Sequence, residues 1–200
     1  NYIYLDDQKS YKTLMAQIGD EDWFRSEVDA QRMRNVSLFC GANSIVMFNS
    51  TMQQSVTDYC DKIGMESRTN KNGYNGVTNL MNDVFGIRYV LSAHGKGSTL
   101  YGFEELTKDN NLTVYKNDNA LPIGFLANPE VTQWDLSGLT PIDVQNDFVQ
   151  LAAGHDPIYT LDRYVTLRSD ETCPIRIPEG KQVYVYLPDR VSELVVKTPE

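Results

Sequence analysis

Histidine is the scarcest reactive side chain of this chain. There are two in 200 residues, His94 and His155, and neither has a second His or Cys at metal-ligand spacing. Both read as turn residues at the surface rather than as catalysts. The three cysteines, Cys40, Cys60 and Cys173, lie 20 and 113 positions apart, which matches no zinc pattern and is too sparse for a disulfide scaffold. They read as small buried thiols, with one bridge left open for an extracellular chain. No metal and no cofactor is expected. Nor is there a run of 18 apolar residues, or a basic segment ahead of a short apolar one, so the sequence offers neither a membrane-spanning helix nor a signal peptide. A soluble portion of a larger protein would have the same texture. Basic charge is lacking too: 18 Lys and Arg stand against 27 Asp and Glu, a formal charge of −9, which repels phosphodiester backbones and anionic headgroups. Neither nucleic acid nor a membrane surface is an expected partner.

Two nucleotide and hydrolase signatures are missing as well. The stretch Ile87 to Gly102 runs from a strand into a glycine-rich turn, but Gly95, Lys96, Gly97 and Ser98 stand in the wrong order for a phosphate-binding loop, which needs G-x-x-x-x-G-K-[ST] before a helix. GANSI, residues 41–45, is not the G-x-S-x-G elbow of a serine hydrolase. There is no internal repeat and no low-complexity segment.

What is present is an ordinary globular composition, 41% hydrophobic and 22% charged, with 12 tyrosines for hydrogen bonding and stacking. Tyr11, Leu14, Met15 and Ile18 recur at helical spacing before Gly19, and WFRSEVD, VSLFCG and IVMFNS read as short β-rich runs. A helix is predicted over residues 51–63, capped by Ser50 or Thr51 and stopped by Gly64. ESRTNKNGYNG reads as an exposed loop, VTNLMNDVFG as a helix, and IRYVLSA, LTVYKND and IGFLAN as strands. Beyond Asn128-Pro129, PIDVQNDFVQLAAG has proline at a helix start, apolar positions at Ile142, Val144, Phe148 and Leu151, and Gly154 as a stop. YTLDRYVTL, CPIRI, KQVYVYL and SELVVK then read as strands. The predicted class is α/β (α+β): an N-terminal sheet layered with helices over residues 1–130, then a linking helix and a β-rich C-terminal module over residues 131–200.

Asp83, Glu104 and Glu105 lie near predicted element ends and are the acids to weigh for paired-carboxylate chemistry, although 27 acids make chance proximity the simpler reading. Trp23, Tyr74, Tyr89 and Trp134 have the rings to stack on sugars, but such aromatics more often pack in cores.

One ordered set of motifs stands out: Phe24 and Arg25; Phe48, Asn49 and Ser50; Lys62 and Gly64; Gly76, Thr78, Asp83, Gly86, Arg88 and Tyr89; and Asn117, Leu121, Pro122, Gly124 and Phe125. In this order they resemble the extracytoplasmic portion of the YfhO-like bacterial membrane proteins. There an Arg-containing strand is followed by a Tyr-Ser-Ser-like segment, a helix ending in K-x-L-G, a G-x-T-x-x-x-D-x-L-G-x-K-Y block and an E-N-x-x-x-L-P-x-G-F strand. The chain departs from the pattern at Phe48-Asn49, at Arg88 in place of lysine, and at Lys116 where an acid is common. Gln145, Asn146 and Phe148 fit the helix that leads into a β-sandwich in this family, of which residues 155–200 would be a part.

The resemblance implies a parent enzyme: a polytopic C-type glycosyltransferase, mostly of Gram-positive bacteria, moving a sugar from a polyprenyl-phosphate donor to envelope polymers such as lipoteichoic acid. Its catalytic acid belongs to a loop near the first membrane spans, which nothing in these 200 residues matches. The chain is therefore expected to be a non-catalytic domain on the extracytoplasmic face, its partners being the membrane-embedded remainder of the same polypeptide and a cell-wall glycopolymer. An assembly module that contacts other envelope proteins and binds no glycan is the alternative. The candidate binding residues are Arg25, Asn49, Ser50, Tyr74, Thr78, Asp83, Arg88 and Tyr89. Among them Arg25, Asp83 and Arg88 suit a sugar hydroxyl or a polymer phosphate, while the commoner outcome for such a cluster is a buried network pinning strands to a helix.

Overall fold

The computed structural model describes residues 2–18, 23–29, 35–93, 100–109, 112–137, 140–166, 168 and 171–187. Two compact units divide the chain, residues 1–157 and residues 158–200. The glycine-rich turn with His94, the Gly19 stop and the SELVVK run lie outside the described residues.

The first unit carries the α+β content expected from the sequence. Its larger sheet has the order β1-β5-β7-β6, built from Arg25–Val28, Ile87–Ala93, Leu112–Lys116 and Glu104–Asp109. β1 runs parallel to β5, and the other two pairings are antiparallel. Helix α1, Tyr2–Ile18, lays Tyr11 and Leu14 on the sheet against Val28, Tyr89, Leu91, Leu112 and Val114. The stripe at helical spacing is the buried face, as amphipathicity requires. β5, the inner strand next to the parallel edge, has Ile87, Val90 and Leu91 fully buried. That accounts for its nearly continuous apolar sequence.

A second core joins α3 (Gln54–Lys62), α4 (Asn79–Val84) and α5 (Pro141–Ala153) through Cys60, Ile63, Met65, Met81 and Val144. Beside it lies a small antiparallel sheet, β2-β4-β3, of Met47–Phe48, Lys71–Asn72 and Ser67–Arg68. α5 opens with a capping box, Thr140 and Asp143 bonding each other's backbone N–H, and ends at Gly154 with φ 65°. This helix, which the sequence grouped with the C-terminal module, packs into the first unit.

Four local expectations in the first unit differ from the structure. VSLFCG holds a single helical turn, α2 (Val36–Phe39), because Asn35 enters it at φ 60° and Cys40 N–H closes back on Val36 and Ser37. ESRTNKNGYNG is a hairpin rather than an open loop: Asn70 takes the left-handed turn position at φ 68°, and Asn72 is buried with its side chain bonded to Ser67. IGFLAN forms no strand; the segment is bonded instead through Leu121 N–H to the Asp83 carbonyl and through Asn128 N–H to the Ala152 carbonyl. The predicted α3 cap is replaced by an Asx turn in which Asn49 accepts from the Thr51 N–H, and the helix starts at Gln54.

The second unit has no helix or strand among its described residues, so YTLDRYVTL, CPIRI and KQVYVYL, expected as strands of a β-rich module, form none there. Tyr159 and Tyr184 meet edge to face at 5.4 Å, and Lys181 N–H turns back on the Pro178 carbonyl. The alternating valines and tyrosines of KQVYVYL, Val183 to Tyr186, are exposed.

Candidate functional site

Two helix ends converge on one buried side chain of a third helix. Gln145, on the apolar face of α5, donates from Nε2 to the carbonyl of Ile63 at 2.8 Å, and its Oε1 accepts from the Thr78 hydroxyl at 2.7 Å. Ile63 is the last residue of the α3 turn and Thr78 is the N-cap of α4, whose Oγ1 also accepts from the Met81 N–H. One amide therefore satisfies an orphan carbonyl at one helix end and a capping hydroxyl at another. The backbones approach closely here. A Cβ on Gly76, at φ 82°, would overlap the Gly64 carbonyl oxygen, and one on Gly64 would sit 3.0 Å from the Pro141 ring. The sequence meets this crowding with glycine.

A second knot closes the other end of α4. The Asp83 carbonyl accepts from Gly86 N–H at 3.0 Å and Leu121 N–H at 2.9 Å, and its carboxylate accepts from Asn117 Nδ2 at 2.8 Å. Asn117 N–H reaches the Arg88 carbonyl at 2.8 Å, and its side chain also reaches the Ile87 carbonyl. A Cβ on Gly86 would lie 2.7 Å from the Leu121 carbonyl oxygen. Burial raises the Asp83 carboxyl above its ordinary range, and the Asn117 bond opposes that rise. Arg25 completes this end: its guanidinium donates to the Phe85 carbonyl, its N–H donates to Gly86, and it lies 4.7 Å from the Trp23 ring centroid.

Glu27, buried on β1, is the least expected group. Its two carboxyl oxygens accept from the Ser44 hydroxyl and the Ile45 N–H, both at 2.6 Å. Burial pushes its carboxyl up to about 7, although those donors and Arg25 pull it down. Tyr74, whose hydroxyl donates to Asn82, is raised by burial and then by Glu27.

A sequence profile described as "Bacterial membrane protein YfhO" matches residues 1–188. The chain belongs to the YfhO family. No curated protein and no solved structure is significantly similar to it. Among the described residues, no helix is long and apolar enough to cross a membrane.

The YfhO-like motifs can now be placed. Gly64, Gly76 and Thr78 meet at the Gln145 clamp, and Asp83, Gly86, Arg88, Asn117 and Leu121 meet at the far end of α4. Of the eight binding candidates, Thr78 and Tyr89 are buried, Tyr89 against the Phe24 ring at 4.9 Å. Tyr74, Asp83, Arg88 and Arg25 are half-buried, and Asn49 and Ser50 are exposed beside β2. Arg25 and Asp83 both serve the end of α4, Arg25 through the Phe85 and Gly86 carbonyls and Asp83 through its own carbonyl and its carboxylate on Asn117. Of the aromatics weighed for sugar stacking, Trp134 belongs to the second core, donating to the Val144 carbonyl at 3.0 Å and packing on Phe148, whereas Trp23 is 42% exposed. Glu104 and Glu105 lie exposed on the edge strand β6, and His155 is exposed with Nδ1 on the Asp156 carbonyl. Of the three thiols read as buried, only Cys60 is; Cys40 and Cys173 are half-buried, and all three are free.

Sequence reasoning did not single out Gln145 or Glu27 as sites. Gln145 left a trace, a polar residue between Val144 and Phe148 on the apolar stripe. Glu27 left none, because Ser-Glu-Val on a strand looks like ordinary in-and-out alternation.

Proposed function

We propose that this chain is a non-catalytic domain of a YfhO-family polytopic membrane glycosyltransferase, standing on the extracytoplasmic face of the bacterial membrane. There it helps to position an acceptor polymer, such as lipoteichoic acid, for sugar transfer within the membrane-embedded remainder of the polypeptide. The observation that supports this reading is the spending of the family-like motif residues on one another. Gly64, Gly76, Thr78, Asp83, Gly86 and Asn117 close helix ends and backbone turns, which is scaffold work. Ligand contact then falls to the periphery, where the exposed Trp23 indole and the Arg25 guanidinium sit together with a stacking face and fork-shaped donors for a sugar ring or a polymer phosphate.

The test is an NMR titration of the chain with teichoic-acid fragments, comparing wild type with Trp23→Ala and Arg25→Ala after checking that each is folded. Saturable shifts that centre on Trp23 and Arg25 and vanish in the variants support acceptor binding. Absence of shifts at millimolar ligand would end it in favour of a module that contacts other envelope proteins. That second reading has its own observation, the outward-facing Leu38 and Phe39 of α2.

A further inference from the structure

The segment that follows β7 is tied down at both ends and apolar between them. On the near side, Asn119 N–H donates to the Asn117 side chain at 3.1 Å and Leu121 N–H to the Asp83 carbonyl at 2.9 Å. On the far side, Asn128 N–H donates to the Ala152 carbonyl of α5 at 2.8 Å, and Pro129 opens a 3-10 turn, Pro129–Gln133. The tip between these anchors turns its large side chains outward: Ile123 is 66% exposed, Phe125 41% and Leu126 102%. Scattered apolar side chains at a surface are normal, but three within four residues on a fixed tip form a patch. There is no charged residue between Asp118 and Glu130 in a chain of formal charge −9.

We propose that the 122–127 tip enters the interfacial layer of a lipid bilayer. The chain belongs to a family of bacterial membrane proteins, which puts a bilayer within reach of its folded units. The inference rests on that membership and not on glycan binding, so either can fail alone. Net acidity gives the chain no electrostatic attraction to anionic headgroups. An uncharged tip is the part of such a surface that can approach lipid without repulsion, and Phe, Leu and Ile are the side chains that gain by leaving water there. The anchors on Asp83 and Ala152 hold the tip in place before contact, so little ordering entropy is lost on insertion. Lipid contact made in this way depends on apolar burial and is insensitive to ionic strength.

The probe is a suspension of phosphatidylcholine vesicles, some with brominated acyl chains. Leu126→Trp places an indole at the tip, and Leu106→Trp places one at an exposed position of the edge strand β6 as a control. The expected result is a blue-shifted, bromine-quenched emission for L126W at millimolar lipid, unchanged by salt, with no such change for L106W. Ile123→Asp and Leu126→Asp should each lower vesicle partition of the chain about tenfold, the factor for withdrawing one apolar side chain from a buried setting, without moving the thermal midpoint. Absence of quenching at L126W, or equal quenching at both positions, would overturn the proposal. So would loss of self-association in Leu126→Asp with vesicle partition unchanged, which would assign the tip to a second copy of the chain.

Discussion

Replacing Gln145 by leucine keeps the bulk of the side chain on α5 and removes both arms of the clamp. The 2.7 Å bond from Thr78 and the 2.8 Å bond to the Ile63 carbonyl are lost. Each buried hydrogen bond contributes about 1 kcal/mol net, and stranding a buried acceptor costs about 1–3 kcal/mol. The Thr78 hydroxyl still accepts from the Met81 N–H, so the Ile63 carbonyl carries most of the penalty. The expected loss is about 2–4 kcal/mol, a large part of the roughly 5–15 kcal/mol available to a domain. Urea denaturation reads it out through Trp134, whose indole N–H is bonded to the Val144 carbonyl one residue from the clamp. The midpoint should fall with the slope unchanged. Gln145→Glu should be as damaging or worse, because a buried carboxylate has no proton to give Ile63. In the double variant with Thr78→Val the two losses should overlap, with a coupling of about 1 kcal/mol. A loss below about 0.5 kcal/mol for Gln145→Leu, additive with Thr78→Val, would refute the clamp.

Three other predictions follow from the interior. Glu27 has a folded-state carboxyl raised from 4.5 to about 7, so the folded chain holds a proton that the unfolded chain releases. Its contribution to stability is complete below pH 4.5, falls as pH rises toward 7 and is flat above, by an amount on the order of 3 kcal/mol; Glu27→Gln should abolish that slope in wild-type-minus-variant denaturation curves. Gly76→Ala should cost about 2 kcal/mol or more, since it adds overlap with the Gly64 carbonyl to left-handed strain, whereas Gly41→Ala, at φ 75° with open space around it, should cost about 1 kcal/mol of strain alone. Burial pushes the Cys60 thiol up to about 11, so iodoacetamide should leave Cys60 intact in the folded chain and modify it only through the urea transition, as peptide mass mapping would show.

The elements legible in the sequence are those whose ends carry chemistry of their own. α4 was marked by a run ending at Gly86, and α5 by Pro141 and Gly154. β5 and β7 were marked by apolar runs that the sheet buries. Elements that borrow their reason from a distant partner were not legible. The turn at VSLFCG has the same apolar texture as a short strand, and periodicity cannot separate the two at that length. β6 is an exposed acidic edge whose Glu104, Glu105 and Lys108 show no alternation, as edge strands that resist unwanted pairing often do not. The motif residues were legible as a set, but their task was not. Thr78 and Gln145 are 67 positions apart and Asp83 and Asn117 are 34 apart, so what they bind appears only once the chain is folded. The Trp23–Arg25 pair was visible as two separate residues, and only the fold shows that Trp23 is exposed while Trp134 is core.

The measurement that bears most directly on the account is the side of the membrane on which this unit stands. In cells making the membrane protein that carries this sequence, a membrane-impermeant maleimide should label the half-buried Cys173 without permeabilisation and leave the buried Cys60 unlabelled until the protein is denatured. Labelling of Cys173 only after the cells are opened would place the unit inside the cell and contradict the extracytoplasmic role.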